Sequence, residues 1–213
     1  MADLTNSTGG KTFLGVSDGK IVQRVQEGTE GAQPRTLKAG KNEGSVVYEK
    51  TYSAVTGFIT GGSIEVKIFG GKKVKEIQVV IDDDTVLQLP LSMFLQAFAK
   101  PLPNLDVNQA VEISVYKNKK GYAAMNMKQG TESLKWAYTR ENPNGLPEVT
   151  QDAVGNWDFR DADTFLELKV IEFFAALEGA NTEAPQGYTE EGILPQEPVQ
   201  QPLIDDPNSD IPF

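Results

Sequence analysis

Lysines and aromatic residues lie close together in several short stretches of the sequence. Tyr48, Lys50 and Tyr52 alternate at a spacing of two, so an extended chain places their side chains on one side. Ammonium groups bind phosphates, and flat rings stack on unpaired bases, so this pattern is typical of a surface for a single nucleic-acid strand. The candidate DNA-binding residues are Tyr48, Lys50, Tyr52, Lys67, Phe69, Lys72, Lys73, Lys75, Tyr116, Lys117, Lys119, Lys120, Tyr122, Lys135 and Trp136.

Each of these rings has an alternative interpretation as a core residue, and each lysine can serve solubility alone. Trp136 is aligned with Leu134 and Tyr138 at a spacing of two, so we expect Trp136 to be the most buried of the candidate rings. We expect Phe69 and Tyr116 to be the least buried. The whole set of residues is therefore stronger evidence for DNA binding than any single residue is.

The composition excludes much enzymatic chemistry. The sequence has no cysteine and no histidine, which removes thiolate nucleophiles, imidazole bases and the usual zinc ligands. Residues 9–12 resemble the end of a Walker A loop, but Thr5 occupies the position of its first glycine. Residues 82–84 are three aspartates that could bind Mg²⁺, but they interrupt a strand, so we expect a solvated turn. We predict a binding protein with no enzymatic activity, no cofactor and no metal site.

The charge is divided unevenly along the chain. The net charge of −10 combines 18 basic and 14 acidic residues in residues 1–140 with 2 basic and 16 acidic residues in residues 141–213. The first part is therefore mildly basic, as a phosphate-binding domain requires, and the acidity is concentrated near the C-terminus.

Alternating apolar residues and turn residues predict a series of strands. Gly and Lys enrichment predicts a loop over Glu27–Gly44, between the second strand and the third. The predicted strands are Phe13–Val16, Lys20–Val25, Val46–Tyr52, Ser63–Phe69, Lys73–Ile81, Thr85–Leu89, Ala110–Lys117 and Tyr122–Met127, with an optional further strand over Ser133–Tyr138.

Two segments have helical periodicity. Apolar residues at spacings of three and four predict a short helix over residues 91–98, capped by Ser92 and ended by Pro101. After a connector at Asn142–Asn156, Asp161–Glu178 is a second helix with acidic residues in its first turn. Apolar residues cover more than one side of this second helix. We therefore expect it to pack on the strands and on another surface, such as a second subunit.

The order of strands and the short helix predicts a mainly β protein with an oligonucleotide/oligosaccharide-binding (OB) fold. In this fold a short helix caps a five-stranded barrel. The predicted organisation is a flexible N-terminal arm (1–11), an OB-like domain that binds single-stranded DNA (12–140), a connector with the C-terminal helix (141–180) and a disordered acidic tail (181–213).

The C-terminus has its own recognition pattern. The tail has acidic residues and no basic residue, and it ends in a large aromatic ring with a free carboxylate. A basic-rimmed apolar pocket on another protein could accept this ring while the acidic residues increase the encounter rate. The alternative is a tail that serves only solubility. The candidate partner-binding residues are Asp205, Asp206, Asp210, Ile211, Pro212 and Phe213.

The last four residues, Asp210–Phe213, resemble the C-terminal tip of bacterial single-stranded DNA-binding proteins, in which an acidic run ends Asp-Ile-Pro-Phe. The longer body, over roughly residues 12–140, looks more like single-stranded DNA-binding proteins encoded by phages. The resemblance implies a protein that coats single-stranded DNA during replication, recombination or repair, and a tip that recruits proteins of those processes and competes with DNA. The Gly/Gln-rich linker of the bacterial proteins is absent, which puts their tetrameric assembly in doubt.

An alternative hypothesis is a β-rich structural or adaptor protein, for example a virion component, with an acidic tail for assembly. The sequence has no apolar run of eighteen residues and no signal-peptide pattern in residues 1–11, so we expect a cytoplasmic protein without a membrane partner. The sequence leaves open whether it is a homo-oligomer.

Overall fold

The computed structural model describes residues 10–38, 42–69, 71–151 and 154–182, apart from the side chains of residues 69 and 180–182. The predicted N-terminal arm, except for residues 10 and 11, lies outside this part. The tail from residue 183 onward also lies outside it, together with every candidate partner-binding residue from Asp205 to Phe213.

Strands dominate the described residues, as predicted. Two α-helices, α1 (Leu91–Ala99) and α2 (Arg160–Thr182), and a short 3-10 turn at Leu102–Asn104 complete the secondary structure. The strands are β1 (Thr12–Ser17), β2 (Lys20–Val25), β3 (Gln33–Thr36), β4 (Val46–Tyr52), β5 (Ala54–Gly57), β6 (Ile59–Phe69), β7 (Lys72–Ile81), β8 (Thr85–Pro90), β9 (Val111–Lys117), β10 (Ala123–Gln129), β11 (Glu132–Ser133), β12 (Thr150–Gln151) and β13 (Trp157–Asp158).

Seven strands form the larger sheet in the order β3-β4-β2-β1-β8-β7-β6. Neighbours are antiparallel except for β1 and β8, which run parallel. The predicted strands β1 and β2 form a hairpin: Asp18 and Gly19 turn the chain with φ of 52° and 71°. This two-residue turn suits Asp and Gly because both adopt positive φ more readily than other residues.

The smaller sheet has the order β11-β10-β9-β5. Because only Ser53 separates β4 from β5, the chain passes directly from the larger sheet into the smaller one. The return bend at Phe58 is fixed by Asp82: the Phe58 amide donates to Asp82 Oδ1 at 2.9 Å. A β-carbon on Gly57 would lie 2.2 Å from Asp82 Oδ2, so a larger residue there would force the Asp82 side chain to move.

The core lies between the two sheets and the helices. Ile77 and Leu87 of the larger sheet, Ile113 of the smaller sheet and Phe94 and Phe98 of α1 are almost fully buried. Helix α2 covers β6 and contacts α1, and it buries Leu166, Val170 and Phe174 in the same core. Burial of this apolar surface is the main stabilising contribution to the fold.

The structure differs from the predicted barrel. The described strands pair into two open sheets and one ribbon (β12–β13), and no closed barrel is found among them. Strand β3 lies inside the predicted loop, and β6 begins four residues earlier than predicted. The predicted strand over Ser133–Tyr138 was wrong: only Ser133 belongs to a strand, because residues 134–138 turn toward α1.

Both predicted helices are present, but their ends differ from the prediction: α2 begins one residue earlier and ends four residues later than expected. The proposed cap Ser92 lies inside α1, whose N-cap is Pro90 without a side-chain hydrogen bond. Helix α2 has Asp161 and Asp163 in its first turn, as expected. Neither described helix combines the length and apolar content that crossing a membrane requires.

Candidate nucleic-acid interface

The candidate site residues fall in three regions of the fold. The first region is a groove beside α1, the second is the end of the β9–β10 hairpin with the adjacent face of β4, and the third is the β6–β7 hairpin. Strand β4 lies near one edge of the larger sheet and β6 forms the other edge, with four strands between them. At the usual strand spacing this is about 24 Å, so the regions can form a path but not one pocket.

Two exposed aromatic rings, Tyr116 and Trp136, line a groove of about 430 Å³. Tyr116 ends the outer face of β9 and is 47% exposed, and Trp136 follows β11 and is 52% exposed. Met93 of α1, 61% exposed, and Ala124 of β10 also line the groove. Exposed rings with apolar neighbours offer flat surfaces on which a base can stack. We call this the Tyr116–Trp136 groove.

The expectation that Trp136 is the most buried ring was wrong. Because residues 134–138 do not form a strand, alternation does not set the directions of their side chains. Tyr138 is buried, with its ring edge-on to Phe165 at 5.5 Å between centres, whereas Trp136 is exposed in the groove. Tyr116 is exposed, but it is not among the least buried candidate rings, because Trp136 and Tyr122 (69% exposed) are more exposed.

A lysine that the sequence did not single out supports the Trp136 ring. Lys100, just after α1, places its Nζ 4.6 Å from the centre of that ring. Lys100 Nζ also donates to Gln96 Oε1 at 3.1 Å. Burial lowers the pKa of Lys100, and the charge of Asp163 partly opposes this change. Sequence reasoning missed Lys100 because its partner ring is 36 positions away.

Two carboxylates line the opposite part of the groove. Asp163 and Glu167 both belong to α2. Glu167 Oε2 accepts a hydrogen bond from Lys75 Nζ of β7 at 2.5 Å. This ion pair reduces the repulsion that a phosphate would meet on this side, and it places one end of the groove next to the β6–β7 hairpin.

The other end of the groove adjoins the β9–β10 hairpin, because Lys117 follows Tyr116 directly. Lys117 Nζ lies 2.5 Å from Asp18 Oδ1 in the β1–β2 turn. The hydrogen bond from Lys117 lowers the pKa of Asp18, and the charges of Lys38 and Lys20 act in the same direction. The turn residues Lys119 and Lys120 are exposed, as is Tyr122, and the described residues offer neither lysine an acidic partner. We call Lys20, Lys38, Lys117, Lys119 and Lys120 the hairpin-end cluster.

The aromatic row on β4 has the predicted alternation. Tyr52 lies opposite Ile21 and Tyr48 lies opposite Val25, with Lys50 between them on the same face. Tyr52 shares one face of the sheet with Ile21, which is fully buried. The row from Tyr52 to Tyr48 therefore extends from the core toward solvent along that face. The Tyr52 hydroxyl donates to Gln23 Oε1 at 2.9 Å.

Tyr48 already has an acidic partner. Its hydroxyl donates to Glu27 Oε1, and this hydrogen bond raises the pKa of Tyr48. Tyr48 is half-buried, whereas Tyr52 is 39% exposed. Tyr52 therefore presents more ring surface to a ligand.

The β6–β7 hairpin carries the remaining predicted lysines. Lys67 is paired with Glu76 and Lys75 with Glu167, whereas Lys72 and Lys73 are exposed and have no ion pair with another described residue. The side chain of Phe69 lies outside the described part of the structure. Lys135, next to Trp136, is exposed, but its side chain does not line the groove.

Comparison of the chain with protein-family models, curated proteins and solved structures finds no match. In the described residues, no group of three or more acidic, histidine or cysteine side chains is placed to hold a metal ion. The functional interpretation therefore depends on the geometry above.

Proposed function

We propose that this protein binds single-stranded DNA with little sequence preference and that the strand follows the Tyr116–Trp136 groove. The observation that supports the proposal most directly is that two exposed aromatic rings line one groove. Lysines lie close to the groove but not in its lining: Lys117 follows Tyr116 directly, and Lys75 pairs with the lining residue Glu167. Bases stack on the rings, and the phosphates contact the hairpin-end cluster on one side and Lys72 and Lys73 on the other.

The proposal includes a divergent OB-type core in residues 12–140. Helix α1 lies between β8 and β9, which is the place of the capping helix between the third and fourth strands of that fold. The added β1–β2 hairpin joins β8 in parallel and extends the sheet. This extension accounts for an open seven-stranded arrangement built around such a core.

The two tryptophans allow a direct test. Trp136 lines the groove, and Trp157 of β13 does not. In a Trp157→Phe variant, the fluorescence of Trp136 should be quenched during titration with oligo-dT, because a base stacks on the indole. In the matched Trp136→Phe variant, Trp157 fluorescence should change little. Oligo-dT binding without quenching of Trp136 would place the strand elsewhere, and no binding at low salt would favour a structural or adaptor protein.

Truncation of the rings gives an independent measurement. Tyr116→Ala and Trp136→Ala should each weaken oligo-dT binding by about 1 to 3 kcal/mol and leave the salt dependence nearly unchanged, because the rings carry no charge. Trp157→Ala is the control, because it also removes an exposed indole but one that does not line the groove. If both groove variants bind as tightly as the control, the rings do not contact DNA.

The second part of the proposal concerns the tail. The acidic segment that ends in Phe213 recruits proteins of replication, recombination or repair. Deletion of Phe213 keeps every acidic side chain but removes the terminal ring. It should leave DNA affinity almost unchanged and abolish binding to those proteins. Equal binding by the full-length and deleted chains would contradict recruitment through the tip.

A further inference from the structure

Strand β6 forms an unusually long free edge. It runs for eleven residues, Ile59–Phe69, and within the described part of the chain it pairs only with β7. A long free edge presents unpaired amide and carbonyl groups to other chains, and proteins normally shorten, cover or charge such edges.

The outer half of β6 also exposes apolar side chains. Gly62, Ile64, Val66 and Ile68 share one face of the strand. Helix α2 covers the first part of this row, where Gly62 packs against the ring of Phe174, and Ile64 is half-buried. Val66 is 55% exposed and Ile68 is 76% exposed. The apolar row therefore continues beyond the helix into solvent.

The opposite face of β6 carries a carboxylate that has no ion pair with a described lysine or arginine. Glu65 lies directly across the ladder from Glu76, so two carboxylates are neighbours. Lys67 pairs with Glu76. Glu65 Oε1 accepts a hydrogen bond from the Ser63 hydroxyl at 3.0 Å, but no described lysine or arginine forms an ion pair with Glu65. A positive charge directly across from Glu65 on its free side would be a favourable cross-strand neighbour.

In one register, a second copy of β6 places its own Lys67 opposite Glu65. In a two-fold antiparallel pair within a continuous sheet, one residue lies opposite itself. An axis at Glu65 or at Lys67 would place like charges against each other. An axis at Val66 places Glu65 opposite the second copy's Lys67, and it also places Ile64 opposite Ile68. This register therefore combines opposite charges on one face with apolar pairs on the other.

We propose that the β6 edge is a self-association surface and that two copies of the chain join there antiparallel, with the axis at Val66. The pair forms one continuous sheet from the two seven-stranded sheets. The two α2 helices then lie on the same face of this sheet. That position gives their exposed residues Leu168 and Ile171, 53% and 49% exposed, another apolar surface to contact.

Cysteine cross-linking tests the register, because the natural sequence has no cysteine. In Val66→Cys, the two α-carbons should be about 5 Å apart across the axis, so a short bismaleimide should link the chains efficiently. In the matched Ile68→Cys variant, the two residues should be about 14 Å apart, and the same reagent should link them poorly. Equal yields for the two variants, or more dimer with Ile68→Cys, would overturn the proposed register.

Charge reversal tests the interface without cysteines. Glu65→Lys should shift sedimentation from dimer toward monomer, because the new lysine faces the other chain's Lys67. It should not unfold the monomer, since the new lysine lies opposite Glu76. The double variant Glu65→Lys/Lys67→Glu should recover the dimer. Glu132→Lys, the same change on β11, is the control and should remain dimeric.

A wild-type chain that sediments as a monomer at all accessible concentrations would overturn the proposal. A dimer unaffected by Glu65→Lys would also overturn it. Oligo-dT binding by the monomeric variant is measured separately. Failure of self-association is thereby distinguished from failure of the DNA-binding proposal.

Discussion

Lys100 Nζ lies 4.6 Å from the centre of the Trp136 ring, at the edge of the Tyr116–Trp136 groove. The ammonium group attracts the electron-rich face of the indole, and the Lys100–Gln96 hydrogen bond holds the lysine in place. These contacts hold the half-exposed Trp136 ring in position before any ligand binds. Such pre-positioning reduces the entropy that binding must overcome.

Replacing Lys100 by Met tests this support. Methionine keeps much of the aliphatic packing but removes the charge over the ring. We expect Lys100→Met to weaken oligo-dT binding by about 0.5 to 1 kcal/mol, the usual size of a partly exposed cation–π interaction. Because the proposed role is to hold a ring, the salt dependence should change little. Lys128→Met, which removes a lysine outside the groove, is the control. A large decrease in salt dependence would instead assign Lys100 to phosphate contact.

The Asp18 carboxylate is expected to compete with DNA for Lys117. Its lowered pKa keeps it charged throughout the neutral and mildly acidic range. Asp18→Asn removes the charge and preserves the turn, because asparagine also tolerates the φ of 52°. We expect tighter oligo-dT binding at low salt, with the log–log salt slope steeper by about 0.7 if Lys117 gains one phosphate contact.

Asp83→Asn is the matched control for this experiment. Asp83 is also an exposed turn residue with positive φ, 63°, but it belongs to the β7–β8 turn and not to the groove. The control should show only the small effect of a changed net charge. Equal effects of the two substitutions would mean that Asp18 acts through the overall charge and not through Lys117.

The two lysine-bearing hairpins can be compared by removing two charges from each. Lys119→Gln/Lys120→Gln changes the hairpin-end cluster, and Lys72→Gln/Lys73→Gln changes the β6–β7 hairpin. Each phosphate contact on a single strand contributes about 0.7 to the magnitude of the salt slope, so each double variant should reduce it by about 1.4 if both lysines contact DNA. Salt titrations of the two variants with the same oligonucleotide measure this directly. If one variant has the same salt slope as the wild-type chain, the lysines of that hairpin do not contact DNA.

Features set by neighbouring residues could be predicted from the sequence. The β1–β2 hairpin, the Asn118–Gly121 turn and both helices follow from local alternation, turn residues and periodicity. The parallel pairing of β1 with β8 could not be predicted, because it joins segments about seventy positions apart without a local signal. The same limit explains why a closed barrel was predicted and two open sheets were found, since closure depends on which distant strands pair.

In the candidate site, too, features set by neighbouring residues could be predicted, and features set by distant contacts could not. The exposure of Tyr116 could be predicted because it lies on a regular strand with a buried alternate face. The exposure of Trp136 could not, because its segment only resembles a strand and is held in place by contacts such as the Ala137 amide with the Lys100 carbonyl. The acidic side of the groove comes from α2, which the sequence places in a separate segment.

The position of α2 on the sheet depends on the absence of a side chain at Gly62. A β-carbon there would lie 2.4 Å from the Gln78 carbonyl oxygen and 2.4 Å from the Phe174 ring. Because the carbonyl belongs to the sheet and cannot move easily, Gly62→Ala should shift Phe174 and α2. We expect a loss of about 1 to 3 kcal/mol in the free energy of unfolding, the usual cost of overpacking a core. Urea denaturation measures this loss.

The neighbouring Gly61 provides the control, since a β-carbon there would meet no atom within 4 Å. Gly61→Ala should leave stability unchanged or raise it by up to about 1 kcal/mol, because alanine restricts the unfolded chain. A shift of α2 also moves Asp163 and Glu167, which line the Tyr116–Trp136 groove. Gly62→Ala should therefore reduce the quenching of Trp136 by oligo-dT even at temperatures where the chain is folded. Equal unfolding free energies for the two variants would mean that α2 adjusts without strain and that Gly62 does not determine its position.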